Sequence, residues 1–95
     1  MEQTIQLKHP TGKKAVSMHQ GKYNVLKKPL LDRLKTKGES THKEILHAIL
    51  DDFSKNNFKF EGSVEWHMEW VKLDLEARKE IRRIGNKSPI KFALV

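Results

Sequence analysis

Residues 63–95 read SVEWHMEWVKLDLEARKEIRRIGNKSPIKFALV, and the fold turns on where a helical period in this stretch gives way to a strand period. Up to Glu80 apolar residues return every three or four positions. From Ile81 the pattern becomes Ile81, Ile84, a Gly-Asn-Lys-Ser-Pro turn and the alternation Ile90, Phe92, Leu94. This predicts a helix over about 63–80, capped by Ser63, that runs into a β-hairpin over 81–95.

The helix carries apolar residues on two sides. Val64, Met68, Val71 and Leu75 fall within roughly 60° of one another on a helical wheel, while Trp66, Trp70, Leu73 and Ala77 cluster almost opposite. One side must close a core, because each helix of a small bundle contributes one stripe. The other needs a cover, which is an N-terminal hairpin, another chain, or both, since a hairpin of this size covers only part of two tryptophans. In the second case Trp66, Trp70 and Leu73 form a protein interface, since tryptophan is favoured as an interface anchor. Between the two sides run polar strips, one with Glu65, Glu69, Lys72, Glu76, Lys79 and Glu80, the other with His67, Asp74 and Arg78.

Outward from this helix the remaining elements follow. Thr41 and Glu44 make a capping-box pattern, and Ile45, Leu46, Ile49, Leu50 and Phe53 share one face of a helix over about 41–54. Phe58 and Phe60, in the polar loop after it, are predicted anchors onto the core. Tyr23, Leu26, Leu30 and Leu34 define a first helix over about 22–37, with Lys28 and Lys35 on its far side and Gly38 as its stop. Pro29 interrupts that register and predicts a kink or a loosened first turn. Residues 4–18, with Ile5 and Leu7 alternating, Pro10 and Gly12 at a turn, and a return over Ala15 to Met18, predict a first hairpin. The whole chain, residues 1–95, reads as a single domain of class α+β. Hairpin, three helices and hairpin is the element order of a winged helix-turn-helix, the final hairpin being the wing.

HPTGKKAVSMHQGKYNVLKKPLLDRL (9–34) together with GSVEWHMEWVKLDLEARKEIRRI (62–84) resembles a family of small uncharacterised bacterial proteins expected to be winged-helix domains. Its members share a KY at the first helix and a VKLDLEARGEI-like run. The resemblance covers nearly the full chain and implies the fold, with no activity attached. Where members tend to have glycine near the end of that run, this chain has Lys79.

The net charge of +7 is unevenly placed. Residues 1–40 carry net +6, residues 41–80 net −3 and residues 81–95 net +4, so the positive charge belongs to the first and last elements. Any polyanion is therefore expected to meet those elements. Arg82, Arg83, Lys87 and Lys91 surround the wing turn without an acidic neighbour, and Lys28 and Lys35 extend the cationic set on the first helix. Double-stranded DNA, held by phosphate contacts from the wing and first helix, is accordingly the first functional expectation. A homodimer or protein partner on the Trp66, Trp70 and Leu73 face, without DNA binding, is the alternative. Glu65 and Glu69 weigh against the usual DNA-reading mode, because they occupy the first two turns of the helix that would enter the major groove.

Enzymatic chemistry is not expected. Without cysteine the chain lacks disulfides, thiolate metal ligands and a thiol nucleophile. His42 and His47 point away from each other on one helix, His9, His19 and His67 have no ligand spacing, and the adjacent Asp51 and Asp52 face different ways. No phosphate-binding glycine loop or nucleophile elbow occurs, so no cofactor or metal is expected. The first residues lack a basic segment followed by an apolar run, and no eighteen apolar residues are consecutive. A cytoplasmic protein with no membrane partner is expected.

Overall fold

The computed structural model describes residues 3–9, 11–12, 16–85 and 89–95. Its order is β1 (Thr4–Gln6), β2 (Ser17–His19), α1 (Gln20–Lys37), β3 (Ser40–Thr41), α2 (His42–Lys55), α3 (Val64–Ala77), β4 (Ile81–Ile84) and β5 (Lys91–Leu94). Two antiparallel sheets accompany the helices, β1 with β2 and a second in the order β3-β5-β4. The α+β class, the N-terminal hairpin, the three helices and the C-terminal strands are those the sequence predicts, an arrangement consistent with the winged helix-turn-helix plan. Pro10, Ala15 and the wing residue Lys87, named in the sequence reading, lie outside the described residues, as do Lys13 and Lys14.

Tyr23, Leu26, Leu30 and Leu34 from α1, Ile45, Ile49 and Phe53 from α2, and Met68, Val71 and Leu75 from α3 form the centre of the core. Leu7 and Met18 close it from the first hairpin, Ile81 and Phe92 from the C-terminal strands. The α1 helix runs unbroken through Pro29, which is itself buried. It starts two residues before the predicted Lys22 because the His19 ring accepts a hydrogen bond from the Gly21 N–H at 3.1 Å. Gly38, with φ 75°, donates its N–H to the Leu34 carbonyl and ends the helix.

At the start of α2 both halves of the capping box are present. Glu44 N–H donates to Thr41 Oγ1 at 3.2 Å, and Thr41 N–H donates to Glu44 Oε1 at 2.9 Å. Leu50, expected on the apolar face, is instead exposed, at the edge of the stripe that Ile45, Ile49 and Phe53 bury. The Ser63 cap of α3 is as predicted, its hydroxyl accepting from Trp66 N–H at 3.2 Å. That helix stops at Ala77, three residues earlier than expected, because Lys79 turns into the left-handed region with φ 62° and releases the chain toward β4.

The short strand β3 had no counterpart in the sequence reading. Ser40 pairs with Phe92 and Thr41 with Lys91, which ties the α1–α2 connection to the C-terminal hairpin and completes the three-stranded sheet. In that sheet Arg83 lies directly opposite Phe92, and Arg82 opposite Ala93. Since successive side chains alternate between faces, Arg83 belongs to the inner face with the buried Ile81 and Phe92, whereas Arg82 and Lys91 share the outer face.

Candidate functional site

The two sides of α3 have different fates. Met68, Val71 and Leu75 are fully buried, as the wheel predicts. On the opposite side Trp66 is 66% exposed, while Trp70, Leu73 and Ala77 are half-buried. Trp70 is fastened by a chain of rings. Phe53 stacks with Phe60 at 5.8 Å, Phe60 meets the His67 ring at 5.0 Å, and His67 meets Trp70 edge to face at 4.9 Å. Phe58, 5.0 Å from Phe53, joins the same group, so both loop phenylalanines are anchors as expected.

The N-terminal hairpin reaches α3 on its flank. Lys8 N–H donates to Asp74 Oδ1 at 2.8 Å, and Arg78 donates to the Gln6 carbonyl at 3.4 Å. Asp74 is completely buried and accepts two more bonds, from the Tyr23 hydroxyl at 2.5 Å and from Arg78 Nε at 2.8 Å. A buried carboxylate is tolerated when its lone pairs are filled in this way. Its charge and the burial around it push the Tyr23 phenol well above its ordinary range, burial being the larger cause. The hairpin is thus latched to the His67–Asp74–Arg78 side of α3 and leaves Trp66 open.

On the other flank, toward the C-terminal sheet, the acidic strip is internally paired. Arg83 Nε donates to Glu76 Oε1 at 2.5 Å. Lys72, placed on a polar strip by the wheel, is only 4% exposed. Its ammonium lies 4.1 Å over the Phe92 ring, 3.3 Å from Glu69 Oε2 and 2.7 Å from His42 Nδ1. His42 Nε2 in turn stands 2.9 Å from Glu65 Oε2. An ammonium can only donate, so His42 Nδ1 accepts and Nε2 carries the proton given to Glu65. These groups border a cleft of about 630 Å³ between the start of α2, the side of α3 and the C-terminal strands, lined by His42, Lys43, Lys72, Arg83, Ile90 and Phe92 among others. Burial holds the Lys72 ammonium below the ordinary lysine range, with Glu69 opposing that shift.

Among the described residues, the cations predicted for DNA are divided between α1 and the two faces of the C-terminal sheet. Arg83 is committed to Glu76 and leans over the Phe92 ring at 5.6 Å. Arg82 and Lys91 are exposed on the outer face of the sheet, with no ion pair among the described residues. Lys28 and Lys35 are exposed on α1, on a different element from those two. The His42–Lys72 contact was not legible in the sequence. The two residues are thirty apart, and the only local signals are the Glu69–Lys72 spacing and the capping box that sets His42 at the first position of α2.

Among the described residues no group of three or more histidine or acidic side chains is placed to hold a metal ion, and no helix is long and apolar enough to cross a membrane. Neither the curated proteins nor the solved structures contain a match to the chain. The elements that build the tryptophan ridge, the Asp74 latch and the Lys72 cleft run from β1 to β5, and the family of unknown function DUF6958 matches nearly that whole span, residues 4–92; the chain belongs to that family.

Proposed function

We propose that the protein is a protein-contact module whose contact surface is the outward ridge of α3, and that its partner is a second copy of the chain. The observation that carries this reading is Trp66, 66% exposed beside the half-buried Trp70, Leu73 and Ala77. Trp66, Trp70, Leu73 and Ala77 make this ridge predominantly apolar, which suits it to contact with protein more than to hydrogen bonding with base edges. An indole in water is an unfavourable surface, and burial of an aromatic anchor is a main source of interface affinity.

The ridge is suited to itself. An antiparallel pair of α3 helices centred between Val71 and Lys72 sets Trp66 opposite the small Ala77, and Trp70 opposite Leu73. Each large side chain then meets a smaller one, the requirement for close helix packing. Of the carboxylates beside the ridge, Glu69 is compensated by Lys72 and Glu76 by Arg83, and Glu65 accepts a hydrogen bond from His42. Light scattering over a range of concentrations is expected to give a two-chain mass, and Trp66→Asp to give a one-chain mass with unchanged helicity. A one-chain mass for the unaltered protein at high concentration would refute the proposal.

A second reading, binding of double-stranded DNA through phosphate contacts, is supported by Arg82 and Lys91 on one face of the sheet with no ion pair among the described residues. It uses a different surface from the α3 ridge.

A further inference from the structure

We infer that Lys72 is a reactive amine that forms a Schiff base with a small 2-oxo carboxylate entering the cleft beside the C-terminal sheet. Three observations converge on it. First, Lys72 Nζ lies 2.7 Å from His42 Nδ1, and His42 Nε2 lies 2.9 Å from Glu65 Oε2. Nucleophile, base and a carboxylate that orients the base are therefore in hydrogen-bonding sequence, the arrangement that activates a nucleophile. Second, the amine is 4% exposed yet lines a cleft of about 630 Å³, within the usual size of small-molecule sites. Third, the amine has a fixed position on the cleft wall, held by Glu69 Oε2 at 3.3 Å and by the face of the Phe92 ring at 4.1 Å. The depressed basicity of Lys72 supports the same role, because only the neutral amine attacks a carbonyl.

The carboxylate of the substrate has a binding position in the same cleft. Arg83 gives Nε to Glu76, and its terminal nitrogens have no hydrogen bond among the described residues, while Lys43 has no ion pair among them; the Glu69 carboxylate that also lines the cleft is paired with Lys72. A guanidinium fork suits a carboxylate. The Phe92 and Ile90 side chains wall the cleft on the sheet side.

The reaction balances without a cofactor. The Lys72 ammonium passes a proton to His42 Nδ1, and the resulting imidazolium is held by Glu65. The amine lone pair forms a C–N bond to the ketone carbon while the carbonyl π pair moves to oxygen, and a proton passes from the new ammonium nitrogen to that oxygen to give the carbinolamine. The His42 imidazolium returns its proton to the hydroxyl, which leaves as water as the nitrogen lone pair forms the C=N bond of the protonated imine. No electron is gained or lost in this sequence.

The test is trapping with pyruvate and cyanoborohydride, followed by intact mass and peptide mapping. One saturable adduct per chain is expected, at Lys72, forming at least tenfold faster than adducts at the exposed Lys91. Lys72→Met removes it and Lys91→Met does not. Because removal of a buried charge could disturb folding, His42→Asn provides a second variant. It is expected to slow trapping at least tenfold and flatten its pH profile, with the rate at Lys91 unchanged. Arg83→Gln should raise the half-saturating pyruvate concentration and leave trapping of acetaldehyde as it was. Adducts spread over the exposed lysines with Lys72 unmodified, or a His42→Asn rate equal to that of the unaltered chain, would overturn the assignment. Equal effects of Arg83→Gln on pyruvate and acetaldehyde would overturn the carboxylate site.

Discussion

Lys79 adopts φ 62°, a conformation that costs an L-residue about 1 kcal/mol and glycine nothing. The family resemblance places glycine near this position, and the turn from α3 into β4 supplies the reason. Lys79→Gly is therefore expected to stabilise the fold by up to roughly 0.5 kcal/mol, after the extra entropy of glycine in the unfolded chain is subtracted. Urea denaturation with an unchanged m value checks it. Tyr23 offers a second test at a single side chain, because it is the only tyrosine and its phenolate absorbance reports one group. Burial and the Asp74 carboxylate raise its pKa above the ordinary 10.0, so the folded state binds the proton more tightly than the unfolded one. The stability this provides is fully present below pH 10.0 and is lost as the pH rises through the higher folded value. Phenolate absorption should lag that of the urea-unfolded chain, and Asp74→Asn should narrow the gap without closing it, since burial remains. Coincident titration curves would contradict the buried Tyr23–Asp74 bond.

Among the elements, the connection between α1 and α2 does more than its length suggests. Thr41 caps α2, and through β3 it also pairs with Lys91 of β5. Thr41→Ala removes the hydroxyl that accepts from Glu44 N–H and is expected to cost about 1 kcal/mol. Hydrogen exchange should quicken at the first turn of α2, whereas the amides of the first hairpin should keep their protection. The α3 helix shows how far periodicity reaches. It correctly separated Met68, Val71 and Leu75 from the tryptophan side. It could not show that the hairpin would fasten at Asp74 and Arg78 and leave Trp66 open, because a wheel contains no information about neighbouring elements.

In the molecule as a whole, the two arginines of the C-terminal hairpin are divided between the faces of its sheet. Arg82 and Arg83 are adjacent in sequence but belong to opposite faces, and Arg83 gives its Nε–H to Glu76. If duplex DNA is bound, Arg82 and Lys91 on the outer face are the expected phosphate contacts. Substituting both by glutamine should lower the slope of log affinity against log salt by about 1.8, at roughly 0.9 per contact. Arg83→Gln alone should leave the slope unchanged. A titration with random duplex DNA at several salt concentrations measures both slopes, and equal slopes for the double variant and the unaltered chain would remove Arg82 and Lys91 from the contacts.

Local chemistry was enough to specify the helices, the capping box, the Ser63 cap, the stop at Gly38 and most of the core, because each depends on residues within a few positions of one another. The pairing of β3 with β5, the separation of Arg82 from Arg83, the burial of Lys72 beneath Phe92 and its contact with His42 emerged only when distant segments packed together. A two-residue strand has no period to detect. The environment of an ionisable side chain likewise depends on which atoms surround it in space, and those atoms come from residues far along the chain.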